Sequence, residues 1–370
     1  MFSNHYPTPG WLRSLKPFLY CSIFLLMLLP IISWQWFEGH KMNVYVLFLT
    51  PAFLFILTPM MDFLLGRDQI NPTDYESRTL SMMPYYRLLP ILCAPTYAAL
   101  LCWSTYIFTT MDWGFLAQIA WLFSIGTLGG MVAINVAHEL IHKNSNLERF
   151  CGGFLLSMVC YPGFKIEHIR HHHVMVSTPE DPSSSRLNES IFRFYLRAIP
   201  QNLKNAWKHE ALRLEKKGIH PFSPLHNELL HWYFLTALIA GGLTLCFGLN
   251  GLLFFGGQSI IAILLLECVN YLEHYGLERK KLENGKYEKV SPKHSWNSTV
   301  FWSSIFLFQL PRHSDHHAYS SRRYQVLRHH DNAPLHPFGY PTMILLAFIP
   351  PLWFRIMNPL IEKWNLDKQS

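Results

Sequence analysis

The stretch 115–143, FLAQIAWLFSIGTLGGMVAINVAHELIHK, decides the fold of this 370-residue chain. Its first part is an apolar run, and about 20 such residues are needed to cross the hydrocarbon of a bilayer. The run ends in His138-Glu-Leu-Ile-His142. Histidines at i and i+4 share one helix face, about 5–6 Å apart, so both can reach one metal cluster. The stretch therefore predicts a membrane helix with a pair of metal ligands at its end.

Five further apolar stretches have the length of a membrane helix. Half of all residues are hydrophobic and only 15% are charged, against about 25% in an ordinary soluble domain. We therefore expect an all-α fold: one polytopic membrane domain, residues 1–370, built as a bundle of about six helices. The first stretch lacks a small-residue cleavage site, so we expect it to be retained. The predicted spans are 17–35, 43–65, 88–109, 114–137, 229–248 and 251–272.

Lysine and arginine residues predict the orientation of these spans. If the N-terminus is cytoplasmic, the inner segments contain 30 of the 31 basic residues, and the outer turns contain only Lys41. This predicts an integral protein of the cytoplasmic membrane, with both termini and the polar segments 138–228 and 273–370 in the cytoplasm. The basic inner face explains the net charge of +7, so no nucleic-acid partner is needed.

The seven cysteines are scattered, mostly inside apolar stretches, and none forms a C-x-x-C pair. This spacing indicates neither a disulfide framework nor an iron–sulfur module. If the chemistry needs electrons, another protein has to supply them.

Three more histidine clusters lie outside the quoted stretch: EHIRHHH at 167–173, HSDHH at 313–317, and the single His274 just past the sixth span. All four clusters fall on the same predicted side of the membrane, where buried ionisable groups are costly and usually functional. One zinc ion takes three or four ligands, so nine or ten imidazoles suit two metals. Imidazole binds Zn, Cu, Fe and Ni alike, and spacing alone does not name the metal.

Two other classes of function stay open on these residues. HELIH also matches the H-E-x-x-H motif of zinc proteases, although a protease would leave three histidine clusters unexplained. Histidines in a membrane bundle also suit a metal transporter. A transporter needs polar residues along a path through the membrane, whereas the outer halves of the predicted spans are almost wholly apolar.

Four longer strings carry a resemblance to a known family. They are HELIHK at 138–143, EHIRHHHVMVSTPEDP at 167–182, NYLEHYGL at 270–277 and LPRHSDHHAYSSRRYQVLR at 310–328. The chain resembles the membrane-bound alkane 1-monooxygenases, which are non-haem di-iron hydroxylases related to xylene monooxygenase and to membrane fatty acid desaturases. The last two strings separate the alkane hydroxylases from the desaturases.

The resemblance implies O2-dependent terminal hydroxylation of n-alkanes to 1-alkanols at two irons, with electrons from a rubredoxin-type carrier and its reductase. A membrane desaturase or a xylene-type hydroxylase is the alternative with the same class of centre. Carried over position by position, the iron ligands are His138, His142, His168, His172, His173, His274, His313, His316 and His317.

Several neighbours of these ligands are expected to support them. His171 stands where the family usually has glycine and lies off the face shared by His168 and His172, so we expect it to be a supporting or solvated residue. Acidic residues that adjoin a ligand can accept a hydrogen bond from the remote N–H of an imidazole. These residues are Glu139, Glu167, Glu273 and Asp315.

Two further sets of residues are expected to serve substrate and electron donor. Helical steps into the membrane from His138 and His274 place a substrate channel along Met131, Ile134, Ile263 and Glu267, with Phe55 as a bulky stop. Four arginines flank the third histidine cluster and can attract an acidic carrier. They are Arg312, Arg322, Arg323 and Arg328.

Overall fold

The computed structural model describes residues 7–367, and within this range all regular elements are helical. Extended segments meet only at isolated bridges, such as the one between Arg67 and Val300. The helices are α1 (Gly10–Ser14), α2 (Lys16–Gly39), α3 (Val44–Leu65), α4 (Asp74–Met82), α5 (Pro84–Thr110), α6 (Phe115–Ile141), α7 (Asn146–Ser157), α8 (163–175), α9 (Ile191–Glu215), α10 (Glu228–His274), α11 (Phe301–Phe306), α12 (His313–Ala318), α13 (Tyr340–Ala347) and α14 (Pro350–Asp367). Short 3₁₀ turns occupy Pro292–His294 and Tyr324–Val326.

Five of these helices, α2, α3, α5, α6 and α10, are long and apolar enough to cross a membrane. The fifth and sixth predicted spans both lie in the 47 residues of α10, which is broken at Gly248 (φ 68°, ψ −166°). A Cβ atom added at Gly251 would lie 2.8 Å from the carbonyl oxygen of Leu243. Eight residues of straight helix would separate these positions by about 12 Å, so the chain reverses at the break.

The two ends of α10 confirm this reversal, because both lie beside α8. Glu228 at the start accepts a hydrogen bond of 2.6 Å from Arg170. His274 at the end has its ring centre 4.9 Å from that of His172. A straight helix of this length would extend about 70 Å. The two arms, 228–247 and 249–274, therefore form a hairpin, and residues 7–367 contain six apolar crossings, as the sequence predicts.

Small residues bring α6 close to the second arm of α10. A Cβ atom at Gly126 would lie 2.5 Å from Cβ of Ile261, and one at Gly129 would lie 2.9 Å from Cβ of Ala262. Glycines at a helix interface allow backbones to approach closely in a membrane. This contact places the end of α6, which carries His138, next to the end of α10, which carries His274.

The short helix α12 is held in place by polar contacts on both sides. Asn297 accepts a hydrogen bond from the backbone N–H of Ser314 (2.8 Å) and donates one to its hydroxyl (2.6 Å). Arg312, directly before α12, is buried and donates to the backbone carbonyl oxygens of Leu327 and Asp68. These contacts fix three histidines of α12 opposite α6 and α8. We call this side of the bundle the ligand face.

The close contact between α6 and α10 can be tested with alanine at Gly126. The added methyl group overlaps Ile261, and we expect the variant to lose about 1–3 kcal/mol of stability. Gly256→Ala is the control, because a Cβ atom at Gly256 meets nothing within 4 Å. Thermal unfolding in detergent, followed by tryptophan fluorescence, should show a lower midpoint for Gly126→Ala only. Equal midpoints for the two variants would contradict the close contact.

Candidate metal centre

The nine predicted ligands lie together on the ligand face and divide into two groups. Within each group, one ring nitrogen of each residue lies within 4.8 Å of the others. The five-histidine group is His138, His142, His168, His173 and His316. The four-histidine group is His172, His274, His313 and His317. The groups adjoin, since the ring centres of His173 and His317 are 4.3 Å apart.

A π-helical turn in α8 decides how its histidines are shared. The turn covers His168–His172, and its backbone hydrogen bonds join residues five apart instead of four. His168 and His173 therefore come to the same side, with their Nε2 atoms 3.0 Å apart. His172 turns to the other group. The i,i+4 pair His168 and His172, expected from the sequence to act together, is split between the groups.

The ring nitrogens have the arrangement of a donor set that converges on cations. Nε2 of His173 faces two other ring nitrogens, Nε2 of His168 at 3.0 Å and Nε2 of His316 at 3.2 Å. A single N–H on one of these rings cannot provide hydrogen bonds for all three Nε2 atoms. Four further Nε2 atoms are buried without a hydrogen-bond partner in the described chain, and an orphaned buried polar atom is costly. They belong to His138, His142, His172 and His274.

Burial also sets the protonation state that metal binding requires. In α12, burial lowers the pKa of His316 and of His317 well below the ordinary histidine value, and neighbouring imidazoles lower it further. Both rings are therefore neutral near pH 7, and a neutral imidazole is the form that ligates a metal. The residues fit two histidine-bound metal ions.

Two of the ligands contact carboxylates. Asp181 Oδ2 lies 2.9 Å from Nδ1 of His172, and Nε2 of the same ring is left without a partner in the described chain. Such a contact at the remote nitrogen fixes the tautomer and the ring orientation of a ligand. Glu273 Oε2 lies 3.1 Å from Nε2 of His313, the nitrogen that also faces Nε2 of His317 at 2.9 Å. The hydroxyl of Tyr340 donates to the other oxygen of Glu273 at 2.8 Å. The sequence reasoning missed Asp181, although TPEDP at 178–182 follows the second cluster closely.

The other predicted acidic neighbours contact residues outside the ligand set. Glu139 forms an ion pair with Lys143 at 2.8 Å. Asp315 accepts a hydrogen bond from Arg322 at 2.5 Å and contacts Nε2 of His330 at 2.7 Å. These two carboxylates therefore hold the backbone segments that carry the ligands, and these contacts are not to the nine ligand imidazoles.

His171 lies outside both groups. Its Nδ1 is 3.0 Å from Nε2 of His209, and its Nε2 is 3.1 Å from the backbone oxygen of Glu180. Glu167, one turn earlier, is 1% exposed, and its Oε1 has no hydrogen-bond partner in the described chain. Neither residue belongs to the two histidine groups.

An apolar cavity between α3, α6, α10 and α13 reaches His138 and His313, one ligand from each group. Its apolar lining includes Leu54, Met131, Leu265, Leu266, Val269 and Ile344. Met131 was predicted to line a channel. The other four predicted positions do not line this cavity: Phe55, Ile134, Ile263 and Glu267.

These four positions lie away from the cavity because another side of each helix faces it. On α10 the cavity lies against the stripe of Glu273, Asn270 and Leu266, beside the stripe that continues from His274. On α3 it contacts Leu54, and the next residue, Phe55, turns to a different side of the helix. Glu267 instead accepts a 2.5 Å hydrogen bond from the hydroxyl of Tyr161.

Asn135 is a cavity residue that the sequence reasoning also missed. It lies one turn before His138, is 6% exposed, and lines the cavity at its ligand end. Its side-chain nitrogen, Nδ2, is buried without a hydrogen-bond partner in the described chain. A free N–H donor at this position can bind an oxygen atom held near the ligands.

The four predicted docking arginines differ in exposure. Arg312 is 3% exposed and is committed to the backbone contacts described above, so it cannot present its charge to a partner. The other three are partly exposed, with their charges partly balanced by carboxylates. The pairs are Arg322–Asp315, Arg323–Glu148 and Arg328–Asp74.

The fold and the site define a class: integral membrane metalloproteins whose histidine-rich centre adjoins an apolar cavity.

Residues 111–347 match the family model for fatty acid desaturases. The chain is 45% identical to alkane 1-monooxygenase 2 of Alcanivorax borkumensis, over 98% of this chain and 95% of that protein. It is 46% identical to alkane 1-monooxygenase 2 of Pseudomonas aeruginosa, over 97% and 96%. It is 29% identical to the xylene/toluene monooxygenase hydroxylase component of Pseudomonas putida, over 66% and 64%. The chain belongs to the alkane 1-monooxygenase family.

The contact between Asp181 and His172 can be tested with Asp181→Asn. The variant keeps the shape but removes the negative charge, and losing such a partner typically lowers metal affinity about 10–100-fold. Metal retained per chain should be measured after dialysis against increasing chelator. Asp112→Asn is the control, because Asp112 is exposed in the turn between α5 and α6. Unchanged retention in Asp181→Asn would show that the carboxylate does not stabilise the bound metal.

Proposed function

We propose that this chain hydroxylates the terminal carbon of n-alkanes at a di-iron centre. The balanced reaction is an alkane, O2, two electrons and two protons giving a 1-alkanol and water. This proposal rests mainly on the apolar cavity, which reaches one histidine from each of two adjacent histidine groups. The relatives named alkane 1-monooxygenase support the choice of substrate.

The choice of iron follows from the reaction. Imidazole groups accept several metals, but zinc has no redox chemistry, and a monooxygenase has to reduce O2. Bound irons would supply oxygen activation and removal of hydrogen from the substrate. The five-histidine group and the four-histidine group would each hold one iron. The protein itself orients His172 through Asp181 and excludes water from the cavity.

An alkane has no polar group, so the cavity binds it by burial alone, at about 0.8 kcal/mol per methylene. The apolar lining runs from Leu54, in the middle of α3, to the ligand end. A chain that lies along this cavity presents its terminal methyl group to His138 and His313. Selectivity for the terminal carbon then follows from the shape of the cavity.

The polar groups of the cavity lie at the ligand end, and most of them already have partners. Asn270 donates to Glu267 at 3.2 Å, and Tyr340 donates to Glu273 at 2.8 Å. Asn135 keeps a free N–H. In our proposal this N–H donates a hydrogen bond to the hydroxyl oxygen of the newly formed 1-alkanol.

The electrons in this proposal come from a rubredoxin-type carrier with its reductase. The basic residues support a cytoplasmic ligand face, and three partly exposed arginines lie on it. Arg322, Arg323 and Arg328 would attract an acidic carrier by complementary charge, which mainly raises the rate of encounter. Arg312, which is buried, supports the fold of this face instead.

A zinc protease does not account for two adjacent groups of histidines, and a transporter does not account for the apolar cavity that ends at them. A xylene-type hydroxylase remains the neighbouring alternative, and the lower identity to that relative favours an alkane substrate. A series of n-alkanes tested beside xylene and a fatty acyl substrate separates the three related activities.

The decisive experiment combines metal analysis with turnover. We expect about two irons per chain and formation of 1-alkanol only when O2 and a reductant are both present. The protein should be purified in detergent and assayed with n-alkanes, with an anaerobic sample as control. One tightly bound zinc per chain, or turnover without O2 consumption, would refute the proposal.

Asn135→Leu tests the hydrogen bond to the product. The variant loses one hydrogen bond to the 1-alkanol, about 1 kcal/mol or roughly fivefold in affinity, whereas an alkane has no acceptor to lose. We therefore expect a weaker inhibition constant for 1-alkanol with little change in the KM for the alkane. Met131→Leu, in the same cavity, should change both constants together. A parallel change of both constants in Asn135→Leu would contradict this role.

A further inference from the structure

We propose that Glu167, His171 and Asp181 form a third cation site, which passes a divalent metal ion to the four-histidine group. We call it the loading site. The identity of the ion as iron rests on the proposed function, whereas the geometry of the site does not. Loading does not require that the ion stay there once the two histidine groups are filled.

The three residues form a compact donor set apart from the nine ligands. One donor atom from each lies within 4.8 Å of the other two. Glu167 and His171 are one turn apart on α8, and Asp181 lies in the loop that follows it. Glu167 and Asp181 are each 1% exposed. Two carboxylates and an imidazole suit Fe²⁺, Mn²⁺ or Zn²⁺.

Glu167 provides independent evidence for a bound cation. Its Oε1 is buried without a hydrogen-bond partner in the described chain, and an unpaired buried carboxylate is costly. The ion pairs of residues 7–367 include no lysine or arginine beside Glu167 or Asp181. Asp181 pairs with His172 and also accepts hydrogen bonds from the backbone N–H of Ser183 and the hydroxyl of Ser184. The neighbouring Arg170 is already paired with Glu210 and Glu228. A bound cation would satisfy Glu167 and balance both carboxylates.

The loading site lies between solvent and the buried four-histidine group. His171 and its partner His209 are half-buried, so an ion can reach them from outside. Asp181 contacts His172 at 2.9 Å, and His172 belongs to the four-histidine group. All members of that group are buried: His172 1%, His274 0%, His313 2% and His317 6% exposed.

The five-histidine group does not need such a route. His142 and His173 are only half-buried, so a metal ion can reach this group directly from the ligand face. The loading site offers three donor atoms, whereas the four-histidine group offers four imidazoles. A metal ion bound in the loading site would also replace one of the two hydrogen bonds that His171 now makes. The ion is therefore held more weakly in the loading site and moves on to the four-histidine group.

Iron uptake by apoprotein tests the transfer. Iron-free protein in detergent is mixed with Fe²⁺ under argon, quenched with chelator at intervals, and assayed for protein-bound iron. For the wild type we expect two phases that sum to about two irons. In His171→Ala and in the isosteric Glu167→Gln, one phase should be at least about tenfold slower, with the same final iron content. His220→Ala, which removes an exposed histidine in the loop between α9 and α10, should leave both phases unchanged.

Binding of Mn²⁺ to the iron-loaded protein tests the site itself. Electron paramagnetic resonance should show one additional Mn²⁺ per chain, with affinity reduced at least about tenfold in His171→Ala. Uptake phases that are unchanged in both variants, or no additional Mn²⁺ in the wild type, would overturn the loading site. A wrong metal or a wrong final stoichiometry in the wild type would instead refute the di-iron proposal.

Discussion

Nine imidazoles lie together on the ligand face, seven of them buried and two half-buried, and such a cluster is stable only if its ring nitrogens have partners. Four buried carboxylates lie around the cluster without a lysine or arginine in ion-pair contact within the described residues: Glu167, Asp181, Glu267 and Glu273. Divalent cations bound in this region would offset the negative charge of these carboxylates. A buried charge is tolerated when it is paired or coordinates a metal. The polar interior of this membrane protein therefore suits a metal centre.

The rest of the fold positions that centre. The glycine contact between α6 and the second arm of α10 sets the distance between His138 and His274. The break at Gly248 returns α10 to the side from which it started. Asn297 and Arg312 hold α12, which has too few residues to be stable alone, since isolated helices shorter than about 12 residues are marginal. Each element that carries a ligand is thus fixed by a contact outside the ligand set.

Much of this arrangement could be predicted from the sequence, because its signals are local. The spans follow from runs of apolar residues. The four histidine clusters indicate a metal centre, and the family resemblance implies which nine histidines are its ligands. The division of the ligands into two groups could not be predicted, since the π-helical turn at His168–His172 changes the register without an evident sequence signal. Asp181 was missed because its contact with His172 depends on the path of a loop. The channel positions predicted by continuing the stripe of His274 do not line the cavity, because the cavity lies against the neighbouring stripe of Glu273.

The two histidine groups differ in their surroundings, and this asymmetry gives substrate, electrons and metal ion separate routes to the centre in our proposal. The cavity meets His138 and His313 from the membrane side, so an apolar substrate reaches both groups without passing through water. Half-buried His142 and His173 bring the five-histidine group near the surface, where an electron carrier can approach. The four-histidine group is fully buried, and in our proposal the loading site gives it a separate route for its metal ion. Substrate, electrons and metal would then reach one centre from three sides without competing for the same path.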